Sequence, residues 1–230
     1  MGGNDGLTGA QNNRAAVNDW RLLAGPIRSR YRTGDFAAGL AFVTQVGEAA
    51  EQADLAPHIT LNGTDVIITL GSGDGGVVTA RDITFARTVS SIAADADLTA
   101  DPTSVMQMEF ALDTTAGSRI SPFYAALLGD ELDRGPHAHG GLVDPTGQAV
   151  PLWWQQPKVT SRFPLPATGV PQTWHPDIWV AHDEAEHRIA AALAAGGRLV
   201  SDSAAPSYWV LEDPDGNRCC VCAAMEEGRT

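Results

Sequence analysis

Apolar residues in the first ninety positions recur first at helical and then at strand spacing. The segment "RTGDFAAGLAFVTQVGEAAEQA" (32–53) has apolar residues three to four apart, which predicts an amphipathic helix. The next segment, "HITLNGTDVIITL" (58–70), has two β-branched runs around Asn62-Gly63, which predicts a β-hairpin. A second helix is predicted over 79–93, with Thr79 as its N-cap. Short strands are expected around "WRLL" (20–23) and "IRSRYR" (27–32).

The second half of the chain repeats its own pattern. Strand-like runs at 106–113 and 175–183 both end in Asp, and helical runs at 120–132 and 188–200 both stop at Gly and turn into a strand. Each copy then has an apolar run, an Asp-Pro-x-Gly turn and another apolar run, in "GLVDPTGQAVPLWW" and "VLEDPDGNRCCVC". The turns and the first strands are both offset by 69 residues (213 − 144 and 175 − 106). The pattern predicts two tandem β-α-β-β-β modules that form one domain.

The segment "AADADLTADPTS" (93–104) separates the two patterns. It is small and acidic and holds Asp-Pro before the next apolar run, which predicts a linker. We therefore expect an α+β protein of two domains, a helix/antiparallel-sheet domain over 8–96 and a duplicated domain over 105–225.

Composition and charge exclude several classes of partner. The net charge of −13 would repel phosphate backbones and anionic lipids, so neither nucleic acid nor membrane is an expected partner. The start of the chain has no basic region leading into an apolar one, and no apolar stretch approaches a membrane span of about 20 residues. A cytoplasmic location is the resulting expectation. The three cysteines, Cys219, Cys220 and Cys222, then read as small buried residues of one strand.

Candidate binding residues concentrate in the second half, which holds five of the six tryptophans. Strand alternation places His175, Asp177 and Trp179 on one face, and Trp153 and Gln155 on one face of another strand. Aromatic rings beside a few polar groups suit a small planar or cationic molecule. Two interpretations stay open: the tryptophans, Trp209 among them, line a ligand pocket, or they fill the core.

The duplicated half resembles the vicinal oxygen chelate superfamily of glyoxalases, ring-cleaving dioxygenases and bleomycin-resistance proteins. The matching pieces are "SPFYAALLGDEL", "WHPDIWVAHDEAEHRIAAALAAGGRLV" and "YWVLEDPDGNRCCVC". The resemblance implies a sheet curled around a cavity, with metal ligands at positions that correspond to Met106, Pro151, His175 and Cys220. Only His175 and Cys220 can coordinate well, and a divalent site needs three or four donors, so we expect no metal.

The first half resembles pterin-4a-carbinolamine dehydratase over residues 8–92. In "EQADLAPHITLNGTDVIITLGSGDGGVVTARD" (51–82), Glu51, Pro57 and Asp82 match the signature and become candidate ligand contacts. The three signature histidines are replaced by Leu55, Ala56 and Gly73, and Gly63 replaces an aromatic residue. Dehydration of a carbinolamine needs acid–base groups, for which histidine suits and Leu, Ala and Gly do not. His58 is the only nearby imidazole.

These features favour a two-domain protein that binds a planar ligand, a pterin among the candidates, with degenerate dehydratase and metal sites. The alternative is an active lyase, either a pterin dehydratase or a glyoxalase- or dioxygenase-like enzyme, with His58, His175 and Asp177 as acid–base candidates. The dehydratase resemblance also implies a homodimer interface in the first half.

Overall fold

The chain folds into two compact units, one holding the described residues through Val105 and one spanning Met106–Ala223. A computed structural model describes residues 18–73, 76–115, 117–118, 121, 125, 131–132, 141–144, 147, 150–156, 165–167, 169, 172–214 and 216–224. Both units combine helices with antiparallel or mixed sheets, which confirms the α+β prediction. Within the described residues, no helix combines the length and apolar character of a membrane span.

The first unit is an antiparallel sheet packed with two long helices. Its elements are β1 (Arg21–Leu22), β2 (Ile27–Arg32), α1 (Phe36–Ala53), β3 (His58–Asn62), β4 (Asp65–Leu70), α2 (Ala80–Asp95) and β5 (Thr99–Ala100). The strand order is β1-β2-β4-β3, and β5 pairs with the same β2. The two helices, the hairpin and both early strands predicted from the sequence are confirmed.

The core of the first unit explains why these segments form helices and strands. Helix α1 buries Phe42 and Val46 against Tyr31 of β2, whose ring centroid lies 5.1 Å from that of Phe42. Helix α2 buries Ile83, Ala86 and Val89, the face that its apolar spacing predicts. The apolar pattern of α1 includes two residues that stay outside this core, since Phe36 and Leu40 are more than half exposed.

The hairpin of the first unit differs by one residue from its prediction. Asn62 pairs with Asp65, so the two-residue loop is Gly63-Thr64 and not Asn62-Gly63. Gly63 has φ +59, a left-handed conformation that glycine adopts at little cost. The hairpin itself is as predicted, and the loop still uses this glycine for its tight turn.

The acidic segment 93–104 is folded onto the first unit, although its composition predicts a linker. Helix α2 continues to Asp95, β5 pairs with β2, and a 3₁₀ turn covers Pro102–Ser104. Asp101 holds this segment in place: its carboxylate accepts from Arg30 Nη1 at 3.2 Å and from Arg32 Nε at 3.1 Å. The Arg32 guanidinium lowers the pKa of Asp101. The arginines are about 70 residues away in sequence, so composition alone reads the segment as solvated.

Replacing Asp101 should loosen this segment. The Asp101→Ala variant loses its partly exposed ion pairs with Arg30 and Arg32, together worth about 1 kcal/mol, so local opening should become roughly fivefold more frequent. Subtilisin should then cut within 96–105 faster than in the wild-type chain. Asp95→Ala, which removes an exposed carboxylate on the last residue of α2, is the matched control and should cut at the wild-type rate. Equal rates for both variants would show that Asp101 does not anchor the segment.

In its described residues, the second unit has one mixed sheet and one complete helix. Its elements are β6 (Met106–Asp113), β7 (Glu131–Leu132), β8 (Leu142–Val143), β9 (Leu152–Gln155), β10 (Trp174–Val180), α3 (Ala185–Ala194), β11 (Arg198–Ser201), β12 (Tyr208–Glu212) and β13 (Arg218–Ala223). The strand order is β11-β12-β13-β10-β6-β9-β8-β7. Strands β6 and β10 pair antiparallel in the middle, and each has a parallel partner, β9 and β13 respectively.

The shared strand pairing fits the predicted duplication of the second unit. Both Asp-Pro-x-Gly turns close in the same way, since Gly147 N donates to Asp144 O at 3.2 Å and Gly216 N to Asp213 O at 3.0 Å. Both glycines have positive φ. Helix α3 ends as predicted, with Gly196 at φ +100 before β11. The helix predicted over 120–132 falls largely outside the described residues.

Candidate functional site

Strand alternation gathers a set of polar and aromatic side chains on one face of the second unit's sheet. Five neighbouring strands, β12, β13, β10, β6 and β9, contribute alternate residues to it. We call it the His175 face and define it by Gln107, Glu109, Asp113, Trp153, Gln155, His175, Asp177, Trp179, Tyr208, Cys220 and Cys222. The grouping of His175, Asp177 and Trp179 with Trp153 and Gln155 follows from the strand register.

Three possible donor groups meet near the centre of the His175 face. Asp177 is directly opposite Cys220 in the parallel β10–β13 register, and His175 is two residues away on the same strand. One ligand atom from each of these buried side chains lies within 4.8 Å of the others. His175 Nε2 is 3.6 Å from Asp177 Oδ1, and His175 Nδ1 is 4.0 Å from Asp113 Oδ2. His175 therefore lies between two carboxylates.

Burial sets the protonation of this cluster. Burial raises the pKa of Asp177, while His175 and hydrogen bonds from Cys220 and Trp153 act in the opposite direction. Burial also raises the pKa of the Cys220 thiol, and the nearby Asp177 raises it further. Burial raises the pKa of Tyr208, and the nearby Cys220, Cys222 and Asp177 raise it further. The cluster thus favours neutral, proton-bearing Cys220 and Tyr208, and resists ionisation of Asp177.

Several polar atoms on the His175 face are buried without a hydrogen bond. Among the described residues, Gln107 Oε1, Gln155 Oε1, His175 Nδ1 and Trp179 Nε1 have no partner. Two of these atoms are acceptors, Trp179 Nε1 is a donor, and a histidine nitrogen can be either. A buried polar atom without a partner costs about 1–3 kcal/mol, so four on one face require an explanation.

The tryptophans of the second half divide between the two faces of the sheet. Trp153 and Trp179 lie on the His175 face, and the Trp153 ring packs edge-on against His175 with centroids 6.4 Å apart. Trp209 pairs with Val221, one residue out of phase with Tyr208 and Cys222, so it lies on the opposite face. Trp154 and Trp174 pack in a core with Leu112 and Leu142. Trp154 and Trp174 therefore fit the core interpretation, Trp153 and Trp179 stay candidates for a ligand site, and Trp209 is not beside the other candidates.

The positions that the glyoxalase resemblance equates with metal ligands do not come together as that resemblance implies. Met106 is 42% exposed and, by alternation, lies on the face opposite to His175. Gln107 occupies the corresponding place on the His175 face, so the 69-residue offset misplaces this strand by one residue. Pro151 has no side-chain donor. Asp177, an acid–base candidate from the sequence, lies beside His175 and Cys220 and offers a third possible ligand atom.

The candidates in the first unit lie around the end of α1, the start of β3 and the start of α2. Glu51 is exposed in the last turn of α1, and Pro57 is half-buried just before β3. His58, the acid–base candidate of this half, is exposed as the first residue of β3. Of the residues in place of the signature histidines, Leu55 packs against the core and Ala56 is exposed.

The Asp82 carboxylate accepts hydrogen bonds from neighbouring residues of the first unit. It is 1% exposed, and its Oδ2 accepts from Ser72 N at 3.0 Å and from Thr79 N at 2.8 Å. The hydroxyls of Ser72 and Thr79 donate to the same oxygen at 2.9 and 2.8 Å. With Thr79 it forms the capping box of α2, which confirms Thr79 as the N-cap. These contacts are structural ones.

Known proteins resemble each half separately. A profile described as "Pterin 4 alpha carbinolamine dehydratase" matches residues 6–92, and one described as "Glyoxalase-like domain" matches 109–222. A "Putative pterin-4-alpha-carbinolamine dehydratase" of Trichormus variabilis is 30% identical over 82 residues, covering 36% of this chain and 88% of that protein. One of the same name from Nocardia farcinica is 35% identical over 75 residues, covering 33% and 79%.

A solved structure matches the same half. It is titled as a transcriptional coactivator/pterin dehydratase from Brucella melitensis, with 30% identity, 38% of this chain and 97% of that chain covered, and a TM-score of 0.36. The two profiles confirm both resemblances described from the sequence. The chain belongs to the pterin-4a-carbinolamine dehydratase family through its first half and carries a glyoxalase-like domain in its second.

Proposed function

We propose that this chain is a small-molecule-binding protein that holds a planar organic ligand on the His175 face, with a first unit that keeps the dehydratase fold but not its catalysis. The observation that carries the proposal is the set of four buried polar atoms without partners beside two indole rings on one face. A bound ligand that hydrogen-bonds to these atoms would remove their desolvation cost.

The chemistry of the face indicates the kind of ligand. The Trp153 and Trp179 rings can pack against a flat ring, and the two glutamine oxygens accept hydrogen bonds from ring N–H or amino groups. Asp177 and Glu109 add acidic oxygens on the same face, whereas Arg198 and Arg218 both bind Glu212. A planar heterocycle rich in N–H donors, such as a pterin, fits this set of groups.

The first unit supports binding more than turnover. The positions of the signature histidines hold a core leucine, an exposed alanine and a glycine, and none of these can transfer a proton. Glu51 is exposed and remains a candidate ligand contact, as does Pro57. Asp82, with its carboxylate already hydrogen-bonded, is a poor ligand contact.

Tryptophan emission during a titration with pterin tests the proposal. Trp179→Phe keeps an aromatic ring but removes Nε1, so the dissociation constant should rise roughly five- to tenfold for one lost hydrogen bond. Trp209→Phe makes the same change on the opposite face and should leave the constant within about twofold. The wild-type titration is run with and without a chelator.

Two results would contradict this assignment. Equal weakening by Trp179→Phe and Trp209→Phe would show that the emission change does not come from the His175 face. No saturable response to pterin or to other planar heterocycles, together with native mass spectra free of any retained organic molecule, would remove the support for a ligand site there.

A second candidate is a lyase in the glyoxalase-like unit, favoured by the position of His175 between Asp113 and Asp177. An imidazole that lies between two carboxylates can accept and return a proton. The test is an NMR assay with the hemithioacetal of methylglyoxal and glutathione, comparing wild type with His175→Gln. Turnover that is lost in the variant would favour this candidate over binding alone.

A further inference from the structure

The donor cluster on the His175 face has the composition of a transition-metal site. It joins an imidazole nitrogen, a carboxylate oxygen and a thiol sulfur, all buried, within 4.8 Å of one another. A tetrahedral ion with bonds of about 2.0–2.3 Å holds its ligand atoms roughly 3.3–3.8 Å apart. The 3.6 Å between His175 Nε2 and Asp177 Oδ1 already matches such an edge. We propose that His175, Asp177 and Cys220 bind one ion of the Zn²⁺ class.

The unpaired nitrogen of His175 is independent support. His175 is 2% exposed, and its Nδ1 has no hydrogen-bond partner among the described residues. A metal-bound histidine commonly donates its other ring N–H to a carboxylate, which fixes the ring. Asp113 Oδ2 lies 4.0 Å from Nδ1, a gap that a small side-chain rotation closes. Coordination through Nε2 thus gives Nδ1–H an acceptor, and Asp113 becomes a positioning residue.

The acidic groups around His175 also favour a bound cation. Asp177 and Asp113 flank His175, and Glu109 lies directly opposite Asp177 in the β6–β10 register. The arginines of β11 and β13 bind Glu212 instead. A dication at the centre of the cluster offsets the acidic groups and takes the place of the Cys220 thiol proton, which leaves for solvent.

This donor set differs from the one that the glyoxalase resemblance implies. All three donors come from adjacent strands of the second module, β10 and β13, whereas the first module has Gln107 and Pro151 at the corresponding positions. A thiolate with an imidazole selects Zn²⁺ or Co²⁺ over Mg²⁺ and Ca²⁺. Three protein ligands leave a fourth position open for water or a ligand atom.

Cobalt titration of the chelator-treated full chain tests the site without any organic ligand, so its outcome is separate from that of the pterin titration. We expect one Co²⁺ per chain in native mass spectra, with visible d–d bands and a thiolate-to-cobalt charge-transfer band in the near ultraviolet. Zn²⁺ should displace it. Cys220→Ser should abolish the charge-transfer band, and Cys219→Ser, on the same strand but the opposite face, should keep it.

Two further variants guard against a folding defect. Asp177→Asn keeps the shape of the side chain and should lower the metal affinity, while Asp113→Asn should lower it about 10–100-fold with the spectrum unchanged. Circular dichroism confirms that each variant is folded. Absence of stoichiometric Co²⁺ in the wild-type chain, or a charge-transfer band that survives in folded Cys220→Ser, would overturn the proposal.

Discussion

Purified protein should dehydrate a 4a-carbinolamine pterin about 10²–10⁴-fold more slowly than a dehydratase with the signature histidines. The reaction needs one group to protonate the leaving hydroxyl and another to accept the N–H proton. Leu55, Ala56 and Gly73 can do neither, and His58 is exposed at the start of β3. The measurement is a stopped-flow assay on generated carbinolamine, with a histidine-bearing relative run in parallel.

His58→Ala is the control for that assay, since a background rate that does not use His58 should be unchanged by it. Wild-type turnover within tenfold of the relative would contradict the prediction. The packing around Gly73 also shows that restoring this signature histidine needs more than one substitution. A Cβ on Gly73 would lie 2.7 Å from Val77 Cγ2, so a histidine there requires Val77 to move.

Elements with local signals were predictable from the sequence. The α1 and α2 segments have helical apolar spacing, and the hairpin carries a glycine that adopts positive φ in its loop. Those signals depend on neighbours in sequence, so no tertiary information is needed to read them. The exposure of Phe36 and Leu40 does depend on tertiary packing, and the apolar pattern alone places them in the core.

Long-range pairs account for what was missed in the fold. The composition of segment 93–104 predicts a linker because acidic residues without a known partner are expected to be solvated. In the structure Asp101 binds Arg30 and Arg32, and β5 extends the sheet at β2. No local sequence pattern predicts that residues so far apart along the chain will pair.

The sequence predicts part of the candidate site. Alternation within "WHPDIWV" and "LWWQ" is enough to group His175, Asp177 and Trp179, and to group Trp153 with Gln155. Alternation within "MQMEFALD" also places Gln107, Glu109 and Asp113 on one face, although these residues are not among the candidates named from the sequence. Matching by a fixed offset of 69 residues chose Met106 instead, because an offset shared by two turns does not fix the register of every strand. Tyr208 had no local signal.

The candidate site residues of the two halves differ in whether their polar atoms already have partners within the protein. In the first unit, the candidate contact Asp82 is hydrogen-bonded by the protein, and the histidine positions hold residues without acid–base groups. In the second unit, four buried polar atoms on the His175 face, those of Gln107, Gln155, His175 and Trp179 named above, have no hydrogen-bond partner among the described residues. Unsatisfied groups are retained at a cost in stability, so they mark the second unit as the part of the chain that we propose to bind ligand.

Removing the Asp82 carboxylate should destabilise the first unit strongly. Asp82→Ala leaves the backbone N–H groups of Ser72 and Thr79 without their acceptor and ends the capping box of α2. Buried donors left without a partner cost about 1–3 kcal/mol each, so the free energy of unfolding should fall by about 3 kcal/mol. A reduction of that size raises the unfolded fraction about a hundredfold.

Hydrogen exchange of the full chain, followed by mass spectrometry, measures this loss within the first unit. Peptides from α2 should lose protection in Asp82→Ala, while peptides from β10 and β13 keep theirs. Asp95→Ala removes an exposed carboxylate from the same helix and should match the wild type. Asp82→Asn keeps one acceptor oxygen but presents an amide to the Thr79 N–H, so its protection should be intermediate. If Asp82→Ala instead exchanges like Asp95→Ala, the carboxylate is not needed for the fold and regains its place as a candidate ligand contact.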